Sequence, residues 1–145
     1  MTQKFTSKAQ AALKRAEETA SELGHTHIGT EHLLFGLAAE RDGVAARVLD
    51  SAGIHADKIR DAISRFTGIG HRTAPGAADM TPRLRKILRD SAQLPGVSTL
   101  GLIGTEHLLL ALLRTRDCVA VKLLSSLGVL CEELQSDLEE ILENA

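Results

Sequence analysis

The sequence has no tryptophan and no tyrosine, and only three phenylalanines, two cysteines and three prolines in 145 residues. With aromatics at 2%, a core must come from Leu, Ile, Val and Ala. That favours packed helices over sheets, where β-branched and aromatic side chains dominate. The two cysteines, Cys118 and Cys131, do not make a disulfide framework. Both fall in apolar helical patterns and read as buried free thiols, which points to the reducing cytoplasm. No apolar run approaches 18 residues, so no membrane span is expected. Met1-Thr2-Gln3-Lys4 leads straight into an amphipathic pattern, so no signal peptide is expected either. The net charge of −2, without a basic stretch or stacking aromatics, argues against nucleic acid as a partner. Glu132, Glu133, Asp137, Glu139, Glu140 and Glu143 crowd the end of the chain and read as a solvated helix face.

The signatures of chemistry are also missing. Neither Gly-x-x-x-x-Gly-Lys-Ser/Thr nor Gly-x-Gly-x-x-Gly occurs, and Gly68-Ile69-Gly70 reads as a turn. There is no His-Glu-x-x-His, no Cys-x-x-Cys and no local signature of a catalytic nucleophile. His25, His27 and His32 lie close to Glu31, but nothing at this spacing demands a metal, and the second half carries Leu100 and Leu102 in place of His25 and His27. We expect no metal and no catalytic residue.

What the sequence does have is repetition. Ile28-Gly29-Thr30-Glu31-His32-Leu33-Leu34 recurs unchanged as Ile103-Gly104-Thr105-Glu106-His107-Leu108-Leu109, 75 residues later. The same offset aligns Phe5-Thr6 with Met80-Thr81, Arg41-Asp42 with Arg116-Asp117, and Leu49 and Gly53 with Leu124 and Gly128. The chain therefore reads as one domain: repeat one over 2–67, a Gly-, Ala- and Thr-rich linker over 68–79 broken at Pro75-Gly76, and repeat two over 80–145.

Each repeat reads as four helices. Thr6 caps the first, whose Ala9, Ala12, Leu13, Ala16, Ala20 and Leu23 keep a 3.6-residue period. Thr30 is expected to cap the second. Gly43 opens the third and Gly53 ends it as a left-handed residue. The fourth is expected to bury Ile59, Ala62, Ile63 and Phe66. In repeat two, Thr81-Pro82 is a strong start signal, and helices are expected around 82–94, 105–115, 118–127 and 130–143. The expected fold is all-α, with eight helices in two pseudo-two-fold-related units that share one core or abut as two.

Glu31 and Glu106 lie in the first turn of a helix, where the macrodipole favours a carboxylate by about 0.3–1 kcal/mol. That alone accounts for them. The other reading is an exposed carboxylate that takes a guanidinium or ammonium from a partner. His32 and His107 read as polar groups at a helix start.

The Ile-Gly-Thr-Glu-His-Leu-Leu blocks, with Phe5-Thr6, Gly43-Val44-Ala45-Ala46 and Met80-Thr81-Pro82-Arg83, resemble the N-terminal double-repeat domain of the Clp ATPases, most closely the ClpC type. A ClpA- or ClpB-type domain is the alternative within that family. The resemblance implies an all-α domain that docks substrates and adaptor proteins for a hexameric AAA+ unfoldase feeding the ClpP peptidase. The isolated domain is then a monomer without a cofactor, and ATP belongs to ATPase modules that this sequence does not contain. A second reading is a stand-alone accessory or decoy protein. The resemblance further implies two pockets for phosphorylated arginine. Carried over by position, Thr6 goes with Glu31 and Thr81 with Glu106. Phe5 and Met80 take the place of an apolar docking patch; the other reading of the pair is a staple of each repeat's first helix to the core. Leu84 replaces a usual Ala, and Pro95-Gly96 should end the first helix of repeat two early, so that repeat has drifted further.

Overall fold

The computed structural model describes residues 4–67, 79–95, 97 and 101–143, and every regular element among them is a helix. The order is α1 (Ser7–Glu22), α2 (Thr30–Ala39), α3 (Val44–Ser51), α4 (Ala56–Thr67), α5 (Pro82–Ser91), α6 (Thr105–Arg114), α7 (Val119–Ser126) and α8 (Cys131–Glu143). Helices α1–α4 and α5–α8 follow one plan at the 75-residue offset. The Pro75-Gly76 break and the Gly68-Ile69-Gly70 turn lie outside the described residues.

Helices α2 and α6 are apolar nearly all round, and such a helix must sit inside. Leu33, Leu34 and Leu37 of α2 and Leu108, Leu109, Leu112 and Leu113 of α6 are fully buried. The other helices lay apolar stripes on this central pair. One continuous cluster of buried side chains runs through both repeats, so there is one shared core. Cys118 and Cys131 are buried free thiols in it.

The helix starts follow from local chemistry. Thr6 Oγ1 accepts from the Ala9 amide at 3.1 Å, and Thr81 Oγ1 from the Leu84 amide at 3.1 Å, which caps α1 and α5. Gly53 and Gly128 close α3 and α7 with φ of 77° and 83°, a region that costs L side chains energy.

Three expectations change. Thr30 is not the cap of α2. Gly29 takes that place, and Thr30 is the first helical residue. Phe66 is half exposed although it shares a face of α4 with the buried Ile59 and Ile63, because it lies at the helix's C-terminal end, one residue before Thr67. Helix α5 stops at Ser91, well before Pro95, with Ala92 as its C-cap.

The repeats are interlocked. Ile28 pairs with Met80 and Phe5 with Ile103 in isolated parallel bridges. The Thr81 amide donates to Ile28 O at 2.9 Å, and the Thr6 amide to Ile103 O at 3.0 Å. Thr30 Oγ1 accepts from the Ala120 amide at 3.1 Å and caps α7, while Thr105 Oγ1 accepts from the Ala45 amide at 3.3 Å and caps α3. Each repeat thus supplies the partner strand and a helix cap of the other.

Candidate functional site

The repeated heptad can be read residue by residue. Ile28 carries the bridge to Met80. Gly29 begins α2 and leaves room for Glu31: a Cβ at Gly29 would lie 2.2 Å from Glu31 Oε1, and one at Gly104 would lie 2.3 Å from Glu106 Oε1. Only a residue without a side chain lets the carboxylate fold back over the turn. Thr30 caps the other repeat's helix. His32 Nδ1 accepts from the Gly29 amide at 2.8 Å, and His107 Nδ1 from the Gly104 amide at 2.9 Å. The imidazole therefore does the capping that the threonine was expected to do.

The interlock decides which residues meet. A cavity of about 620 Å³ is lined by Glu31, Gly29, His25, Thr81, Arg83 and Asp117, among others. Glu31 thus faces Thr81, not Thr6. On the other side the Thr6 amide is bonded to Ile103, three residues before Glu106. The pairing of Thr6 with Glu31 is therefore corrected: the cavity beside Glu31 takes its threonine, Thr81, from the other repeat, and Thr6 is bonded beside the heptad that holds Glu106. Sequence offset alone could not reveal this, because it aligns equivalent residues without saying which copies touch.

Glu31 is also not exposed, with only 8% of its surface accessible, whereas Glu106 is half-buried. Burial pushes the Glu31 carboxyl above its ordinary range. Its own backbone amide and His25 pull it part of the way back. This is a poorly hydrated carboxylate that gains by meeting a cation. Opposite it lies the start of α5. Pro82 has no amide hydrogen, and the Leu84 and Arg85 amides go to Thr81, so the Arg83 amide is the one the first turn does not use. The Arg83 guanidinium is held at the rim by Asp117, 2.7 Å from its backbone oxygen and 3.1 Å from Oδ1. The arrangement offers an anion-seeking end and a cation-seeking end in one cavity.

The wall beside Glu31 is a relay. Because His32 Nδ1 accepts, its proton sits on Nε2, which donates to His25 Nδ1 at 2.7 Å. His25 then carries its own proton on Nε2, facing Thr67 Oγ1 at 3.3 Å, and Thr67 donates to Ile63 O at 2.8 Å. Burial first, then the charge of His25, pulls His32 down to about 4, so it stays neutral. In repeat two, His107 Nε2 instead meets Pro95 O at 3.1 Å. Both ring nitrogens of His32 are engaged, and among the described residues no three His, Cys, Asp or Glu side chains converge to hold a metal.

Phe5 and Met80 are partly buried and pack on the core. Each also sits in a bridge with the isoleucine that opens the opposite repeat's heptad.

Known proteins resemble the chain in sequence and fold. The chain is 37% identical over 142 residues to the chaperone protein ClpB of Oceanobacillus iheyensis, covering 96% of this chain and 17% of that protein. It is likewise 37% identical over 142 residues to the negative regulator of genetic competence ClpC/MecB of Bacillus subtilis, with the same coverage. The chain thus spans about a sixth of the length of these relatives. A solved complex of the ClpV N-domain with a VipB peptide superposes with a TM-score of 0.68 at 26% identity, covering 98% of this chain and 89% of that one. The model of the Clp repeat (R) N-terminal domain matches residues 4–96 and 79–145. The repeated heptad, the eight described helices and this match together place the chain in the Clp repeat N-terminal domain family.

Proposed function

We propose that the chain is a non-catalytic docking module that receives substrate and adaptor proteins for an ATP-driven Clp unfoldase, and that its two composite pockets read phosphorylated arginine. Glu31 takes the guanidinium end, and the start of α5, with Thr81 and the Arg83 amide, takes the phosphate. Thr6 and Glu106 form the second pocket. Phe5 and Met80 add apolar contact at the rims. The single observation that supports this most is the cavity in which a buried carboxylate faces the start of a helix. A doubly ended ligand, cationic next to anionic, fits that pair better than arginine or phosphate alone. The chain itself needs no metal or cofactor for this role. ATP hydrolysis, hexamer formation and coupling to the ClpP peptidase belong to modules of the longer relatives, and a cytoplasmic setting accords with free thiols.

Titration calorimetry with a phosphoarginine peptide tests the reading. We expect two sites per chain and at least about tenfold weaker binding of the unphosphorylated peptide. Glu31→Ala and Thr81→Ala should each remove the same site, leaving a stoichiometry of one alone or combined. Glu31→Ala with Thr6→Ala should abolish both sites. Binding by a Glu31→Ala, Glu106→Ala variant equal to the parent's would overturn the assignment.

A further inference from the structure

A second concave surface lies away from the heptads, between α3 and α8. It comprises a cavity of about 650 Å³ lined by Val44, Val48, Asp137, Glu140 and Ile141, and an adjoining one of about 250 Å³ lined by Leu130, Glu133 and Leu134. Ser51 and Asp137 line both, so the two form one trough. Leu130 is 60% exposed near one end and Ile141 38% exposed near the other. Leu130 stands just before α8 and eleven positions from Ile141, about 16 Å at the helical rise, the length of about three helical turns.

The charges beside this trough are ordered. Two acids of α8 are used inside the molecule: Glu132 pairs with Arg116 at 2.9 Å, and Glu139 with Arg114 at 3.9 Å. The three acids that line the trough, Glu133, Asp137 and Glu140, have no side-chain hydrogen bond or ion pair among the described residues. They recur at i, i+4 and i+7, so they form one stripe along the helix. The stripe is not a property of the repeat. Seventy-five residues earlier, the equivalent positions on α4 hold Lys58, Ala62 and Arg65. One basic group, Arg47, lines the larger cavity with Asp137 and Glu140.

We propose that this trough binds an amphipathic helix of another protein, about three turns long, whose apolar stripe lies on Val44, Val48 and Ile141 and whose flanking Lys or Arg side chains meet Glu133, Asp137 and Glu140. The apolar floor fixes an amphipathic partner, and the unpaired stripe fixes its charge. The site is separate from the heptad pockets and stands or falls without them.

The test uses fluorescence anisotropy on the 145-residue chain with two labelled model peptides. One is a 14-residue helix with leucines on one face flanked by lysines, and the other is the same helix with glutamates for lysines. We expect the lysine peptide to bind at least about tenfold more tightly, less so at high salt. Asp137→Lys with Glu140→Lys should reverse that preference, and Ile141→Ser should weaken the lysine peptide about fivefold. These positions are exposed, so the variants fold. Glu143→Lys, on the same helix but off the trough, should change binding less than about twofold. Equal binding of both peptides overturns the proposal. So does an equal effect of Glu143→Lys, which would mean diffuse attraction, or loss of binding in Glu31→Ala, which would place the peptide in the heptad cavity. Sedimentation showing that the parent self-associates and Glu140→Lys does not would also overturn it, in favour of a second copy.

Discussion

The two repeats share a plan and a heptad but solve the same packing problem with different side chains. Along α1 the buried stripe is Ala9, Ala12, Ala16 and Ala20, and α2 answers it with Gly36. A Cβ at Gly36 would lie 2.1 Å from Ala12 O, so these two backbones touch. At the equivalent places repeat two has Leu84, Ile87 and Ser91 on α5 and Ala111 on α6. Its helices are held apart by larger side chains, and α5 is 10 residues long against 16 for α1. Two interfaces can thus descend from one pattern, one through close backbone contact and the other through side-chain volume. The helix starts diverge in the same way. In repeat one the heptad histidine leans on a second histidine, and in repeat two on a backbone carbonyl.

The sharpest way to break this comparison is a methyl group. Gly36→Ala should destabilise the chain by about 3 kcal/mol or more, because backbone cannot yield as a side-chain tip can. The reverse change at the matched site, Ala111→Gly, should cost only about 1 kcal/mol, from helix propensity. Urea denaturation of both variants reads the difference, and equal costs would mean the two interfaces are not distinct.

The histidines give the next largest effect. His32 is held at about 4 against an ordinary 6.5, so protons prefer the unfolded chain. Its contribution is complete above pH 6.5 and is lost as pH falls through the folded value near 4. The shift corresponds to about 3 kcal/mol. Denaturation midpoints followed from pH 7 to pH 4 should fall steeply in the parent and less in His32→Gln. A His32→Gln profile parallel to the parent's would assign the acid sensitivity elsewhere.

The smallest effect concerns what the repeats have in common. Thr30→Val removes the cap of α7 and Thr105→Val that of α3, and each should cost about 1 kcal/mol, the same within a few tenths. Thermal melts of the pair check it. A cost confined to one variant would show that the exchange is not reciprocal.

Much of this was legible in the residues. The duplication, the helix starts at Thr6 and Thr81, the left-handed Gly53 and the all-apolar α2 and α6 follow from spacing and from the chemistry of each side chain. The role of Thr30 was not legible. A threonine at a helix start caps its own helix in the ordinary case, and only the fold shows that Gly29 and His32 have taken that task and freed it for another. The burial of Glu31 was hidden for a related reason: a charged residue in a first turn is usually solvated, and only the fold shows it buried at a cavity shared with the distant start of α5. The exposure of Phe66 escaped because a period of 3.6 puts it in line with Ile59 and Ile63, and the period does not say where along the helix the cover of the core ends. Gly29 and Gly104 carried a signal: a glycine two residues before a carboxylate, repeated intact, marks space kept for that carboxylate.

The exchanged bridges and caps also determine what a half-chain can be. Repeat one without repeat two lacks the bridge partner of Ile28, the cap of α3 and half of the shared core, and the cavity beside Glu31 loses Thr81 and Arg83. A single repeat is therefore a folding unit only as a pair, and the covalent connection sets the effective concentration of two mutually dependent halves. A ligand held in either pocket touches both halves at once. Occupancy then acts as a staple, adding its binding free energy to the cohesion of the whole molecule rather than of one repeat.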